Sequence, residues 1–259
     1  MYNINRRCFL NSRVGEKIID NYGVEIEIIE YINCRNIKVR FNDEFKAIIN
    51  TRYDCFLDKR IKNPYRKSFL GVGYIGVGKY SSKNTKIMNC WNNMLKRCYK
   101  EDSKDITYDD CIVCEEWHNF QNFAEWYEEN YYEVDGKPTF LDKDILIKDN
   151  KIYSPQTCVF VPRLINNLFT KRQNERGLYP IGVEPYKDTN KFISIISETH
   201  RYAKTKRTHL GIRDTVEETF NLYKVCKEKL IKDVADEYKN DIPKNLYYAL
   251  YNYKVEITD

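Results

Sequence analysis

Between residues 178 and 237 the hydrophobic period of the chain changes from two to about 3.6, and no other feature limits the fold as tightly. Three runs, YPIGVEPY, NKFISIIS and RYAKTKRTHLG, read as short strands. A helix follows, opening with a capping box from Thr215 to Glu218 and carrying Val216, Phe220, Tyr223, Leu230 and Val234 as its apolar stripe. One helix covers only one face of a three-stranded antiparallel sheet. The other face is predicted to stay open, and the run that forms it is rich in Lys187, Lys191, Arg201, Lys204, Lys206 and Arg207.

Upstream the pattern changes several times. Apolar and polar residues alternate through VEIEIIEYINCRNIKVRF on both sides of Asn33-Cys34-Arg35-Asn36, which predicts a β-hairpin in a small N-terminal β unit, residues 1–57. Residues 58–85 read as an extended basic, Gly-rich linker; Gly71, Gly73, Gly76 and Gly78 lack the Lys-Ser/Thr ending of a phosphate loop. After Asn84-Thr85, Ile87, Trp91, Met94, Leu95 and Cys98 recur at helical spacing, with Lys96 and Arg97 near the helix end. A second aromatic helix is predicted after His118-Asn119. Strand, loop, strand and helix follow: TFLDKDILI, the turn around Asp149-Asn150, CVFV, and a helix from Pro162 to Lys171.

Charge is unevenly spread. Residues 1–100 carry net +11, residues 101–144 net −11 and residues 171–213 net +6, so a polyanion is drawn to the flanks and repelled by the middle. No run approaches the roughly 18 apolar residues of a membrane span, and residues 1–10 lack a signal-peptide core, which points to the cytosol and away from membranes. Nine cysteines at irregular spacing read as reduced thiols. Cys98, Cys111, Cys114, His118 and Cys158 hold enough zinc-type donors for a site, but no second paired motif accompanies Cys111-x-x-Cys114, so core packing is preferred to a structural zinc.

Gly182-Val183, Lys191-Phe192-Ile193, His209-Leu210-Gly211 and Thr215-x-x-Glu218, followed by Phe220 and Tyr223, resemble the plant Apetala-two or ethylene-response-factor domain over residues 178–235. The resemblance implies a sheet that enters the DNA major groove, with Lys187, Lys191, Arg201, Lys204, Lys206 and Arg207 as contacts. WNNMLKRCY, CIVCEEWHNFQNFAEW and LDKDILIKDNKIYSPQTCVFVPRLINN together resemble phage-encoded HNH homing endonucleases over residues 86–172. That resemblance implies a ββα unit binding one divalent metal, Mg²⁺ or Mn²⁺. Asp142 or Asp144 would be a ligand from the strand side, and Asn166 or Asn167 the ligand from the helix. The family's catalytic His falls on Lys143, and a protonated Lys cannot take a proton from water. The base is then expected from Lys143 tuned by burial, or from His118.

The expected architecture is α+β: the N-terminal β unit, a central helical and ββα-metal unit (residues 86–175), and a C-terminal three-stranded antiparallel sheet packed on one helix (residues 178–259). The expected function is an HNH-type endonuclease acting on double-stranded DNA, in the host cytoplasm if phage-encoded. The alternative is a non-catalytic DNA-binding regulator or counter-defence factor on a degenerate core. A third reading makes the acidic segment a DNA mimic in a protein-interaction module. Homo-oligomer formation is left open.

Overall fold

A computed structural model describes residues 13–100, 110–170 and 178–259. The fold is mixed α+β, with several small sheets and, among the described residues, six α-helices. No described helix is long and apolar enough to cross a membrane. The chain divides into two compact units, residues 1–100 with 115–125, and residues 101–114 with 126–259.

In the first unit, β1 (Lys17–Ile19), β2 (Glu25–Asn33), β3 (Asn36–Phe41) and β4 (Ile48–Thr51) form an antiparallel meander. Alternation does what the sequence predicts: Ile26 and Ile28 of β2 and Ile37, Val39 and Phe41 of β3 are fully buried, with Ile26 opposite Phe41 and Ile28 opposite Val39. Burial of each such side chain is worth roughly 1.5–3 kcal/mol. The two-residue turn Cys34-Arg35 is closed by the Arg35 amide donating to Asn33 Oδ1 (2.9 Å). Helix α1 (Tyr53–Leu57) adds the fully buried Phe56 to the same core.

Segment 58–85, read as a linker, is in fact packed. A Cβ on Gly73 would meet Trp91 and Leu95 of α2 (Thr85–Tyr99), and one on Gly78 would meet the Gln121 side chain. Gln121 accepts from the Tyr80 amide and donates to the carbonyls of Ile75 and Tyr80. These glycines permit close approach rather than slack. Helix α2 buries Ile87, Trp91, Met94, Leu95 and Cys98, and the Asn84 side chain caps its start by accepting from the Ile87 amide.

The second unit contains the short parallel pair β5 (Ile112–Val113) and β8 (Ile152–Tyr153). It also contains the three-stranded sheet β6 (Glu133–Val134), β7 (Lys137–Asp142) and β9 (Val159–Pro162). Between β5 and β6 comes helix α3 (Phe120–Asn130), whose first six residues belong to the first unit. Helix α4 (Arg163–Leu168) follows β9; Lys171, the expected helix end, lies outside the described residues. The C-terminal sheet is β10 (Val183–Pro185), β11 (Phe192–Glu198) and β12 (Lys206–Arg213), antiparallel, with α5 (Val216–Glu237) packed on it and α6 (Lys244–Tyr251) on α5.

Residues 86–175 and 178–259 were expected as separate domains, but the division falls elsewhere: residues 86–100 and 115–125 belong to the first unit, while Val159, Val161 and Ile165 lie in the same buried cluster as Ile196, Phe220 and Val234. Gly182 has φ +77°, and a Cβ there would overlap the Tyr223 ring of α5. Glycine is therefore required where sheet and helix touch.

Candidate nucleic-acid interface and strand-loop-strand-helix site

The pairing register sorts the C-terminal sheet into two faces. Val183 opposes Ser194, which opposes Gly211, and a Cβ on Gly211 would contact Leu222 of α5; this set faces the helix. Glu184, Ile193 and Ile212 form the next row, on the face away from the helix, where Ile193 is nevertheless buried and Ile212 exposed, with Ile195 opposite His209 and Ser197 opposite Arg207 beyond it. The centre of the open face is thus isoleucine-rich, where uniform basicity was expected.

Of the six predicted basic contacts, only Arg207 stands on the open face within the strands, ion-paired with Glu184 (2.6 Å, both well exposed). The others lie at the ends of the sheet. Lys187, exposed at φ +48°, is in the β10–β11 turn, and Lys191, paired with Asp214 (2.9 Å), precedes β11. Lys204 and Lys206 are exposed at the opposite end, beside the β11–β12 turn.

Arg201 has a different role from the one its position in the basic run suggested. Its side chain is only 12% exposed. The guanidinium grips Asp135 through Nε and Nη2 and binds Asp241 and the Glu237 carbonyl through Nη1. It also lies over the Tyr238 ring, 4.5 Å from its centroid. Asp135 and Asp241 hold the Arg201 guanidinium above its ordinary range. Its donors are committed within the protein, tying the β11–β12 turn to the β6–β7 turn and to the end of α5. His200 adds a contact to Glu237 (2.6 Å). Sequence reading could not pair Arg201 with Asp135, 66 residues away.

The strand-loop-strand-helix order is present: β7 pairs antiparallel with β9 from Thr139 opposite Pro162 to Asp142 opposite Val159, and α4 packs on both strands. Asp142 ends β7, and its Oδ1 accepts from the amides of Asp144 (3.0 Å) and Ile145 (2.8 Å), an Asx turn of the kind that bends a chain out of a strand. Burial, then the neighbouring Asp144, pushes the Asp142 carboxyl up to about 6.

Lys143 is buried, and its Nζ donates to Asp144 Oδ2 (2.9 Å) and to the Asn150 carbonyl (3.1 Å). Burial works to lower its pKa, but the hydrogen bond and charge of Asp144 outweigh it and the net shift is upward. Lys143 therefore remains a cation at neutral pH, and burial does not tune it into a base. Asn150 closes the loop by donating to the carbonyls of Lys143 and Ile152 (both 2.7 Å).

Asn166, half-buried, and Asn167, exposed, lie on α4. His118 belongs to the first unit, where its ring meets Tyr99 edge-on and Nε2 lies 3.4 Å from the Tyr99 hydroxyl. Among the described residues, no three His, Cys, Asp or Glu side chains gather as a cation site. The donor set fits a metal poorly as it stands, because Asp144 is claimed by Lys143 and one oxygen of Asp142 by two amides. Cys158 is buried, and burial pushes its thiol up to about 12.

Lys227 escaped the sequence reading. It occupies the stripe between Tyr223 and Leu230 where the helical period calls for an apolar residue, and it lines a cleft with Leu168, Phe169, Ile181, Tyr253 and Val255. No family model, curated protein or solved structure matches the chain.

Proposed function

We propose that this protein binds double-stranded DNA through its C-terminal sheet, and that its strand-loop-strand-helix unit is an HNH-like core serving as scaffold. The observation that carries the reading is the distribution of exposed cations around an open sheet face. Lys187 lies at one end of the sheet and Lys204 at the other, where Lys206 begins β12, a strand of eight residues. At roughly 3.4 Å per residue that is about 27 Å. The major groove is about 12 Å wide. A sheet lying in it brings both ends to phosphates while Arg207 and His209 face base edges. Phosphate contacts of this kind set affinity and salt dependence, and groove contacts set preference. Arg201 is left out of the contact set because its donors are already used.

The scaffold reading of the core rests on Lys143. In a metal-assisted nuclease this position must supply or neighbour a proton acceptor, whereas here an ammonium is held between Asp144 and the Asn150 carbonyl. One arrangement favours the second reading, an active HNH-type endonuclease using Mg²⁺ or Mn²⁺: Asp142 at the end of the first strand, beside a helix packed on both strands. Incubating the protein with phage and host DNA, with Mg²⁺, Mn²⁺ or chelator, separates the two. Salt-sensitive binding without cleavage is expected. Metal-dependent cutting that disappears in Asp142→Ala/Asp144→Ala would overturn the scaffold reading and establish the nuclease.

A further inference from the structure

The first unit carries an aromatic cluster at the margin of its small β-sheet core, against which Tyr65 packs. Phe45, in the β3–β4 turn, and Tyr65, in segment 58–85, stack with centroids 4.6 Å apart and ring planes 5° from parallel. Tyr74 lies against both, 5.7 and 5.8 Å away and tilted by about half a right angle. Phe45 nevertheless keeps 42% of its surface exposed and is not part of the unit's buried core.

The two turns that present these rings are tied together. Asp43 Oδ1 accepts from the amides of Phe45 (3.1 Å) and Lys46 (3.0 Å), and its Oδ2 accepts from the Asn63 side-chain amide. Asn63 Oδ1 in turn accepts from the Tyr65 amide (2.9 Å). One Asp-Asn pair thus fixes both rings before any ligand arrives, which removes much of the ordering cost of binding.

The charge around the rings is matched to a polyanion. Lys46 adjoins Phe45, and Lys62 and Lys67 flank Tyr65; all three are exposed, and none makes an ion pair among the described residues. The neighbouring arginines are consumed, Arg60 by Asp58 and Arg66 by Asp20. Asp43 is spent on the turn, which leaves Glu44, and Glu115 on the Tyr74 side, as the acids that oppose a phosphate. An exposed ring with available cations adjoining it and its stacked partner along the chain meets the two needs of an unpaired strand, a stacking surface for the base and countercharge for the backbone.

We propose that Phe45, backed by Tyr65, is a stacking platform for an unpaired base of single-stranded DNA, with Lys46, Lys62 and Lys67 holding the adjacent phosphates. The platform extends the nucleic-acid reading to the N-terminal unit, but it stands on different residues from the C-terminal sheet, so the two fail separately.

The test uses the full chain and fluorescence anisotropy with labelled oligo(dT) of about 20 nucleotides and a duplex of equal length. Phe45→Ala is expected to weaken oligo(dT) binding about tenfold, in line with roughly 1–3 kcal/mol per stacked base, and to leave duplex affinity unchanged. Phe45→Trp is expected to retain oligo(dT) binding, which separates stacking from a folding defect. Lys46→Ala/Lys62→Ala/Lys67→Ala is expected to reduce the salt dependence of oligo(dT) binding. Duplex binding with no oligo(dT) binding, or oligo(dT) binding indifferent to Phe45→Ala, would overturn the platform. Oligo(dT) binding that is sensitive to Phe45 in a protein that ignores duplex would uphold the platform and sink the C-terminal reading.

Discussion

Replacing Lys227 with Met is expected to stabilise the second unit, with a pH signature that identifies the cause. Lys227 lies on the apolar stripe of α5 beside Tyr223 and Ile231, and burial pushes its ammonium from the ordinary 10.5 down to about 8. A base whose folded pKa is depressed binds fewer protons in the native than in the unfolded state between those values. Wild-type stability must then rise with pH from about 8 to 10.5. At 1.36 kcal/mol per tenfold change in proton affinity, the charged side chain costs up to about 3 kcal/mol at pH 7 and roughly half that at pH 9.5. The cleft's contact with water makes these figures ceilings. Methionine has a similar unbranched shape and no charge to desolvate. Urea unfolding followed by circular dichroism at both pH values, on the transition that includes α5, gives the comparison. Lys227→Met should gain about 2–3 kcal/mol at pH 7, and the gain should shrink by about half at pH 9.5. Because the comparison is a difference between variants, tyrosine ionisation common to both cancels. A destabilised variant, or a gain that ignores pH, refutes the desolvation argument.

Three other perturbations probe the rest of the account. Arg201→Met leaves Asp135 and Asp241 without their shared cation and should lower stability by about 2 kcal/mol in urea unfolding; Arg201→Lys should recover little, since one ammonium cannot grip Asp135 bidentately and reach the Glu237 carbonyl. Gly182→Ala forces a Cβ into the Tyr223 ring at positive φ and should cost more than about 2 kcal/mol, partly restored by Tyr223→Leu. Asp142 is an acid with a raised folded pKa, so its contribution falls as pH rises from 3.8 to about 6. Asp142→Asn, which keeps an acceptor for both amides, should therefore be about 1–2 kcal/mol more stable than wild type at pH 7 and no more stable at pH 3.5 by thermal melting.

What the sequence made legible was local. The Asn84 cap, the stripe of α2, the Cys34-Arg35 turn and the Thr215 side chain accepting from the Glu218 amide all follow from residues close along the chain. The strand-loop-strand-helix order was legible for the same reason. Non-local pairings were not. Arg201 looked like a DNA contact because its run is basic, yet its partners lie 66 and 40 residues away. Segment 58–85 looked like a linker because glycine signals freedom, and only the Trp91 and Gln121 side chains opposite reveal that these glycines make room. The shared core of residues 126–259 was hidden by the change in pattern near residue 175, which marks a change of sheet without a change of core. Lys227, by contrast, is an anomaly that helical spacing alone could have flagged.

The central claim, that the C-terminal sheet binds duplex DNA through cations at its ends, is tested most directly by duplex affinity across a salt series. Wild type is compared with Lys187→Ala/Lys204→Ala/Lys206→Ala, three exposed positions outside the core. Tight binding at low salt is expected, with a log-log salt slope that falls in magnitude by about 3 in the variant, near 0.9 for each phosphate that no longer meets a cation. Absence of duplex binding at low salt, or an unchanged slope in the variant, would contradict it.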